Sequence, residues 1–270
     1  MLETMSKVQV LIATMNQKDH SLLKKMNIKS DAIVGNQCGI DKVEHFKYEG
    51  YDVAFYSFAE KGVGLNRNNA LIRATGEICL FADDDMVYVD DYVEIVKSAF
   101  KSHPYADALI FNINTEGGNQ QRRYNYRVKR IRTYNSLNYG AVRLAVRLDS
   151  IKKNRICFSQ LFGGGTVYSS GEDSLIIRDM LRHGFKIFAI PKVIATVDQT
   201  TSTWFSGYHE KFFYDKGALM KAMFPKTHFL MTGLYFPFRY GKISGETVSN
   251  IRKWMRKGSE AYDSLIKYTE

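Results

Sequence analysis

Apolar and polar residues alternate along the first 115 residues with two different periods. Short, nearly continuous apolar runs predict buried strands at residues 7–13, 31–35, 51–57, 77–82 and 107–113. The segments between them predict helices at 21–26, 66–75 and 90–101. Gly76 follows the second helix and is predicted to end it in a left-handed conformation. This alternation is typical of an α/β fold in which helices cover both faces of a mostly parallel central sheet.

After residue 115 the pattern changes. A basic and aromatic segment extends to about residue 132, and residues 144–158 are predicted to mix strand and loop. Residues 172–183 have the apolar spacing of a helix that ends before Gly184, and further strands are predicted at 186–190 and 192–197, around Pro191. We therefore predict two halves of one domain, 1–115 and 116–217, and a helical, aromatic-rich extension at 218–270.

The extension leaves two roles open. Residues 229–238 are apolar, but they contain Gly233 and Pro237 and are too few to span a bilayer. Residues 247–267 place apolar side chains at helical spacing, with basic residues and Trp254 nearby. Such a helix packs against the rest of the domain or, with residues 229–240 before it, lies in a membrane interface.

Length and composition indicate a folded protein. With 270 residues and 45% hydrophobic content, the chain can bury the core of one large α/β domain. Cys38, Cys79 and Cys157 are odd in number and lack metal-ligand spacing, which favours reduced thiols in a cytoplasmic protein. The first residues lead directly into a strand pattern, so we expect no signal peptide.

The net charge of +10 calls for an anionic partner. Part of the charge lies in residues 122–132, where arginines and lysines alternate with tyrosines. This segment is compatible with nucleic acid, but no known nucleic-acid module accompanies it. A solvated helix face is the plain alternative. We favour contact with phospholipid headgroups or with a diphosphate-linked lipid.

Three consecutive aspartates, Asp83, Asp84 and Asp85, close the apolar run at 77–82. In an open α/β sheet, ligands bind at the carboxyl ends of the strands, where this run would deliver its carboxylates. Adjacent carboxylates repel one another, and oxygen ligands suit Mg²⁺ or Mn²⁺. The alternative is an acidic loop in which one aspartate caps the next helix.

A second cluster of possible chemistry lies around residues 162–173. Gly163 and Gly164 belong to a glycine run that allows close approach of a ligand to the backbone, or that marks a flexible loop. Ser170 and Asp173 have the spacing of a capping box at the start of the following helix. We expect the helix dipole to lower the pKa of Asp173, and an ionised carboxylate there can act as a general base.

Taken in order, three blocks of sequence resemble a family 2 glycosyltransferase of the GT-A fold, of the type that builds bacterial capsular or surface polysaccharides. The blocks are residues 64–70, the aspartates at 83–85, and Gly171, Glu172 and Asp173. The resemblance covers about residues 7–215. It implies an inverting transfer of a sugar from a nucleotide donor, most often a UDP-sugar, to a hydroxyl of a glycan or lipid-linked acceptor.

The resemblance also implies residue roles. On the donor side, in 1–115, Thr14 and Asn16 would hold the base, Arg67 would face the nucleotide, and Asp83 and Asp84 would contact the nucleotide-sugar. Asp85, with Asp83, would ligate Mn²⁺ or Mg²⁺, and His209 is a further candidate ligand. On the acceptor side, in 116–217, Asp173 is the expected base beside Glu172, and Gly163, Gly164 and Trp204 would contact the acceptor. The enzyme would be cytoplasmic or peripheral on the inner face of the membrane.

The sequence departs from that family after the second strand, and two rival classes remain. Many members carry an aspartate there for uracil, but this chain has Gly35, Asn36, Gln37 and Cys38. A sugar nucleotidyltransferase would need a glycine-rich phosphate loop after the first strand, and Thr14–Gln17 contains no glycine. A non-catalytic basic module would bind nucleic acid or membrane through residues 122–132.

Overall fold

The structure is a computed structural model that describes residues 6–117, 124–137, 139–198 and 207–268. Its strands are β1 (Val8–Met15), β2 (Asp31–Gln37), β3 (Lys42–Tyr48), β4 (Tyr51–Phe58), β5 (Ile78–Asp83), β6 (Met86–Tyr88), β7 (Ala108–Glu116), β8 (Lys129–Arg130), β9 (Leu144–Arg147) and β10 (Ile187–Asp198). Its α-helices are α1 (Ser21–Lys25), α2 (Val63–Arg73), α3 (Tyr92–Ser102), α4 (Leu148–Lys153), α5 (Glu172–Arg182), α6 (Glu210–Met223), α7 (His228–Leu230), α8 (Phe236–Gly241) and α9 (Val248–Lys267). A π-helical turn, Met231–Tyr235, joins α7 to α8.

All the described strands form one sheet, in the order β3-β4-β2-β1-β5-β9-β7-β10-β6, with β8 beside β10. Strands β1, β2, β4 and β5 are parallel, and β7 and β10 share their direction because β9 is antiparallel to both β5 and β7. The predicted α/β class, with a large sheet flanked by helices, is therefore confirmed. The carboxyl ends of these six strands lie at one edge of the sheet, which is where ligands bind in such folds.

The strands that differ from the prediction have weak or interrupted apolar patterns. β3 lies at the outer edge of the sheet, so its residues are exposed or half-buried and form no apolar run. β10 replaces the two strands predicted around Pro191, and the pairing of β10 with β7 shifts register between Ala189 and Val193. Because proline lacks an N–H, it is tolerated in a strand at such an irregularity.

Each face of the sheet carries its own apolar layer. Alternate side chains of β1 point to opposite faces, so Val10 and Ile12 pack with α1 and α3, whereas Leu11 packs with α2, α4 and α5. Cys79 is buried in β5, as the sequence predicted. Helices α2 and α5 therefore lie on the same face of the sheet.

The predicted role of Gly76 is wrong. Helix α2 ends at Arg73, its C-cap Ala74 is in an extended conformation, and Gly76 has no positive φ. A Cβ atom at position 76 would lie 2.6 Å from the Cβ of Gln9. Glycine is therefore required there by close approach to β1 rather than by a helix cap.

The described part of the basic segment at 122–132 is not a helix face. Lys129 and Arg130 pair with β10, and Ile131 is buried, while residues 122 and 123 lie outside the described residues.

The C-terminal extension packs against the rest of the protein. Ile251 and Met255 of α9 are buried in a third apolar cluster with Phe213 of α6. Among the described helices, none is long and apolar enough to cross a membrane.

Candidate functional site

The three aspartates lie at the carboxyl edge of the sheet. Asp83 is the last residue of β5, and all three aspartates are half-buried. Thr14, at the neighbouring end of β1, donates a hydrogen bond from its hydroxyl to Oδ2 of Asp84 at 2.5 Å. The parallel pairing of β1 with β5 thus brings the predicted base-side residue Thr14 against the aspartates.

The loop after β1 is held by amide side chains. Gln17 donates from Nε2 to the Thr14 hydroxyl at 2.8 Å, and its backbone N–H donates to Oδ1 of Asn36 at 2.9 Å. Nδ2 of Asn36 donates to the Gln17 carbonyl and to the hydroxyl of Ser57. Asn16 is exposed, with φ of +54°. Asn36 therefore orients the loop with both ends of its amide.

Arg67 is the central residue of the site. It follows Val63 by one helical turn on the inner face of α2, and its side chain is 3% exposed. One guanidinium nitrogen, Nη2, donates to Oδ1 of Asp83 at 2.7 Å, and Nη1 donates to Oε1 of Glu172 at 3.2 Å and to Oδ1 of Asp173 at 3.0 Å. A single buried cation thus joins the acidic end of β5 to the start of α5.

The backbone around α2 explains how these distant segments meet. A Cβ atom at Gly64 would lie 2.2 Å from the Ser159 carbonyl oxygen, so only glycine allows this approach. The Asn68 side chain accepts a hydrogen bond from the Phe158 N–H and donates to the Phe158 carbonyl, while the Val63 N–H donates to the Gly164 carbonyl. These contacts fix the loop before α5 against α2, and Arg67 then reaches both acids of α5.

Burial dominates the electrostatics of the two α5 carboxylates. Desolvation and the charge of Asp173 raise the pKa of Glu172 to about 7. Desolvation also raises the pKa of Asp173, although Arg67 opposes that shift. For Arg67, burial acts to lower the pKa, but the charges of Asp83, Asp173 and Glu172 outweigh it and raise the pKa. One guanidinium cannot neutralise three carboxylates, so the cluster favours retaining a proton near neutral pH.

Two expectations for Asp173 are therefore corrected. The N-cap of α5 is Gly171, with φ of +126° and no side-chain capping bond, so Ser170 and Asp173 do not form a capping box. The pKa of Asp173 is raised rather than lowered, because removal from water outweighs the helix dipole and the nearby cation. A raised pKa makes the ionised carboxylate a stronger proton acceptor.

Two glycines, Gly163 and Gly140, lie close to the acidic side chains at the start of α5. Gly163 has φ of +111°, and a Cβ atom there would lie 2.7 Å from Val63 Cγ1 and 2.9 Å from Glu172 Cδ. A Cβ atom at Gly140 would lie 3.1 Å from Oδ2 of Asp173. Gly163 stands out in the sequence because it belongs to a glycine run, whereas Gly140 does not, because its partner is distant along the chain. Contact of Gly163 and Gly164 with an acceptor stays a prediction.

The carboxylate oxygens at this edge of the sheet are suited to a divalent ion whose remaining ligands come from a bound substrate. Among the described residues, no group of three His, Cys, Asp or Glu side chains is arranged to enclose a metal. Mg²⁺ is commonly held by one or two carboxylates together with substrate phosphates, so two aspartates are compatible with such a site, and ligation of metal by Asp85 and Asp83 stays a prediction. His209 is the N-cap of α6, and its Nδ1 accepts a hydrogen bond from the Phe212 N–H at 3.4 Å. This capping bond gives His209 a structural role, and its ligation of metal stays a prediction.

A cavity of about 390 Å³ opens beside the donor-side residues. It is lined by Asn16 and Gln17 after β1, by Cys38 and Ile40 after β2, and by Ser57 of β4. Its size falls within the range of small-ligand clefts. Trp204, the predicted acceptor-side aromatic, lies outside the described residues.

Comparison with known proteins confirms the resemblance to family 2 glycosyltransferases. The sequence model of the family Glycosyl transferase family 2 matches residues 40–157, a range that includes Arg67 and the three aspartates but ends before α5. No curated protein sequence matches the chain significantly.

Solved structures share the fold. The crystal structure of S. aureus TarS (1–349) with UDP-GlcNAc aligns with a TM-score of 0.62 at 14% identity, over 96% of this chain and 92% of that one. The TarS complex with UDP aligns with a TM-score of 0.58 at 14% identity, over 98% and 92%. The mannosyltransferase PcManGT from Pyrobaculum calidifontis, in complex with GDP-Man and Mn²⁺, aligns with a TM-score of 0.50 at 12% identity, over 99% and 77%. The chain thus has the fold of GT-A glycosyltransferases.

Proposed function

We propose that this protein is an inverting glycosyltransferase that moves a sugar from a nucleotide-sugar donor, a UDP-sugar by preference, to a hydroxyl of a glycan acceptor in surface polysaccharide synthesis. One observation carries the proposal. The guanidinium of Arg67 gathers Asp83 from the donor-side motif and Glu172 and Asp173 from the acceptor-side motif into one cluster at the carboxyl edge of the sheet. The family match and the shared fold support the same class of enzyme.

On the donor side, the base would enter the cavity beside Asn16 and Cys38, and the diphosphate would lie toward the aspartates. Asp85 and Asp83 would hold Mn²⁺ or Mg²⁺, which, when bound, neutralises charge on the nucleoside diphosphate leaving group. Thr14 and Gln17 would keep Asp84 turned toward β1 through the hydrogen bonds described above. The neighbour solved with UDP-GlcNAc supports a UDP-linked donor, and the neighbour solved with GDP-Man keeps a guanine nucleotide as the rival.

On the acceptor side, Asp173 would remove the proton from the attacking hydroxyl. In a single displacement this hydroxyl approaches the anomeric carbon opposite the leaving group, through a transition state with oxocarbenium character. The Asp173 carboxylate is held by Arg67 through Oδ1, while Oδ2 faces Gly140, where the absence of a side chain leaves room. Glu172, with its pKa near 7, would carry the shared proton of the cluster and leave Asp173 ionised.

The decisive experiment is the melting temperature of the protein with UDP, with GDP and without nucleotide, each with and without Mn²⁺. A ligand that binds only the folded state at a hundredfold excess over its Kd stabilises it by about 2.7 kcal/mol. We expect a Mn²⁺-dependent shift with UDP. A shift with GDP alone would change the donor, and no shift with either nucleotide would contradict the proposal and favour a basic binding module.

A further inference from the structure

Several large, exposed apolar side chains are concentrated on one segment of the C-terminal extension. Residues His228–Gly241 form one continuous helical segment through α7, the π turn and α8. Five large apolar side chains on it are between 48% and 58% exposed: Phe229, Leu230, Leu234, Tyr235 and Phe238. We call these five residues the apolar surface. A concentration of exposed apolar side chains of this kind on a folded protein marks an interaction site.

The segment is held in place by its opposite side. Thr232, Phe236 and Pro237 are buried, and the ring of Phe236 stacks on Tyr240, which contacts Phe213 of α6. The π turn joins α7 to α8 without a break, so the five side chains lie on one continuous helical segment. The apolar surface is therefore a fixed feature of the packed helices.

Basic residues are interleaved with the apolar surface. Arg239 donates from Nη1 to the hydroxyl of Tyr235 at 3.1 Å. Arg252, from α9, lies 5.2 Å from the ring centroid of Phe238 and donates from Nε to the Gly233 carbonyl at 2.6 Å. The sequence contains no aspartate or glutamate between Lys216 and Glu246. The segment that carries the apolar surface is therefore without negative side chains, and on α9 the acid Glu260 places its Oε1 3.5 Å from Nε of Arg256.

A cavity of about 440 Å³ opens where this segment meets α9. The described residues that line it include Phe229, Thr232 and Ser249 together with three cations, Arg252, Lys253 and Arg256, and no carboxylate is among them. Cationic and hydroxyl donors beside an aromatic ring match a phosphate group with an attached hydrocarbon chain.

From this arrangement we propose that the apolar surface binds an anionic phospholipid membrane, with its side chains in the interfacial region and with Arg252, Lys253 and Arg256 at the headgroup phosphates. Amphipathic helical surfaces with basic flanks bind membranes in this way. The inward face of α9 is packed against α6, so α9 contributes cations and the segment 228–241 contributes apolar contacts. The sequence-based alternative places the helix at 247–267 in the interface together with residues 229–240, whereas here the segment 228–241 supplies the apolar contacts.

The surface is joined to the candidate active site by direct packing. A Cβ atom at Gly171, next to Glu172, would lie 2.6 Å from Cδ1 of Leu219, so α6 touches the start of α5. The same α6 packs against the segment that carries the apolar surface through Phe213 and Tyr240. Membrane binding would therefore set the orientation of the acceptor side relative to the bilayer.

The test is vesicle flotation of the purified full chain. The probes are vesicles of phosphatidylcholine alone and vesicles in which a third of the lipid is phosphatidylglycerol. We expect binding only to the anionic vesicles, with loss at high salt, because screening weakens surface electrostatics. Lys253→Gln with Arg256→Gln should weaken partitioning by about thirtyfold, from about 1 kcal/mol for each cation near an anionic surface. Phe229→Ser with Leu234→Ser should weaken it at least tenfold, because two apolar side chains no longer enter the interface.

Control variants remove the same charge, or one exposed apolar side chain, elsewhere on the protein. Lys153→Gln with Lys192→Gln changes two exposed lysines outside the extension, and Ile72→Ser changes a side chain that is 72% exposed on α2. Both controls should bind vesicles as the native protein does. Melting temperature with and without UDP and Mn²⁺ is measured for every variant, so that loss of nucleotide binding and loss of membrane binding are told apart.

Three outcomes would overturn the proposal. One is the absence of binding to anionic vesicles by the native protein. The second is unchanged binding by the two C-terminal double variants. The third is a concentration-dependent dimer in light scattering that Phe229→Ser with Leu234→Ser abolishes, which would assign the apolar surface to a second copy of the chain.

Discussion

Asp83 and Asp173, ninety positions apart in the sequence, are bound by the same guanidinium, through Nη2 and Nη1 of Arg67. The first carboxylate ends β5 and the second lies in the first turn of α5. The acids of the donor side and of the acceptor side therefore share one buried cation.

Asp173→Asn should separate chemistry from donor binding. The amide cannot accept the proton of the attacking hydroxyl, so transfer should fall by about two to four orders of magnitude. The Mn²⁺-dependent stabilisation by UDP should remain, because Asp83–Asp85 are unchanged. Asp179→Asn, on the same helix but partly exposed, is the control and should transfer sugar normally. Near-normal turnover by Asp173→Asn would exclude Asp173 as the base.

Arg67→Met should destabilise the fold as well as the site. It leaves Asp83, Glu172 and Asp173 together without a cation, and removing one partner from a buried ion pair costs about 3–5 kcal/mol. Urea unfolding should report this loss at neutral pH, and the loss should shrink at low pH as the carboxylates take up protons. Arg73→Met on the same helix, where the side chain is exposed, should cost far less. Equal losses for the two variants would show that Arg67 is not the electrostatic centre.

Glu172→Gln should change the pH dependence of stability. The ordinary pKa of glutamate is 4.5 and that of Glu172 is raised to about 7, so between these values the folded state keeps a proton that the unfolded state releases. Ionisation of Glu172 therefore lowers the free energy of unfolding as pH rises through this window. Glutamine does not titrate, so the melting temperature of the variant relative to the native protein should rise between about pH 5 and about pH 8. The exposed Glu94→Gln serves as control, and a difference that is flat with pH would refute the shared-proton assignment.

Asp85→Asn should weaken nucleotide binding only where metal contributes. We expect the UDP-induced rise in melting temperature with Mn²⁺ to fall toward the value without Mn²⁺, since one anionic oxygen ligand is lost. Asp91→Asn, an exposed residue before α3, should leave the rise intact. An undiminished Mn²⁺ effect in Asp85→Asn would remove Asp85 from the metal site.

Gly258→Ala should loosen the extension from the domain. Where α9 crosses α6, a Cβ atom at Gly258 would lie 1.8 Å from the Tyr214 carbonyl oxygen, so the helices must move apart to admit it. Overpacking of this kind costs about 1–3 kcal/mol. Thermal unfolding measures the loss, and Gly233→Ala, where a Cβ atom meets nothing within 4 Å, is the control. Equal stability of the two variants would show that the crossing tolerates separation.

Local sequence pattern is enough to predict the parallel part of the sheet and its acidic edge. A strand buried on both faces must be apolar throughout, so β1, β2 and β5 and the aspartates that end β5 follow from local pattern alone. Helices α3 and α5 follow from the spacing of their apolar residues. The motif order that resembles family 2 glycosyltransferases is likewise carried by local residues.

Strand pairing, side-chain contacts and pKa shifts depend instead on how the chain folds. Edge strand β3 has little apolar pattern because solvent covers it, and the chain direction of β9 depends on pairing with β5 and β7. The roles of Arg67, Gly140 and Asn36 depend on partners that are distant along the chain. The pKa of Asp173 was predicted to be lowered from its place at a helix start and is raised, because burial beside Glu172 and Asp83 outweighs the local dipole. Desolvation and through-space charge are properties of the folded neighbourhood, and no local pattern encodes them.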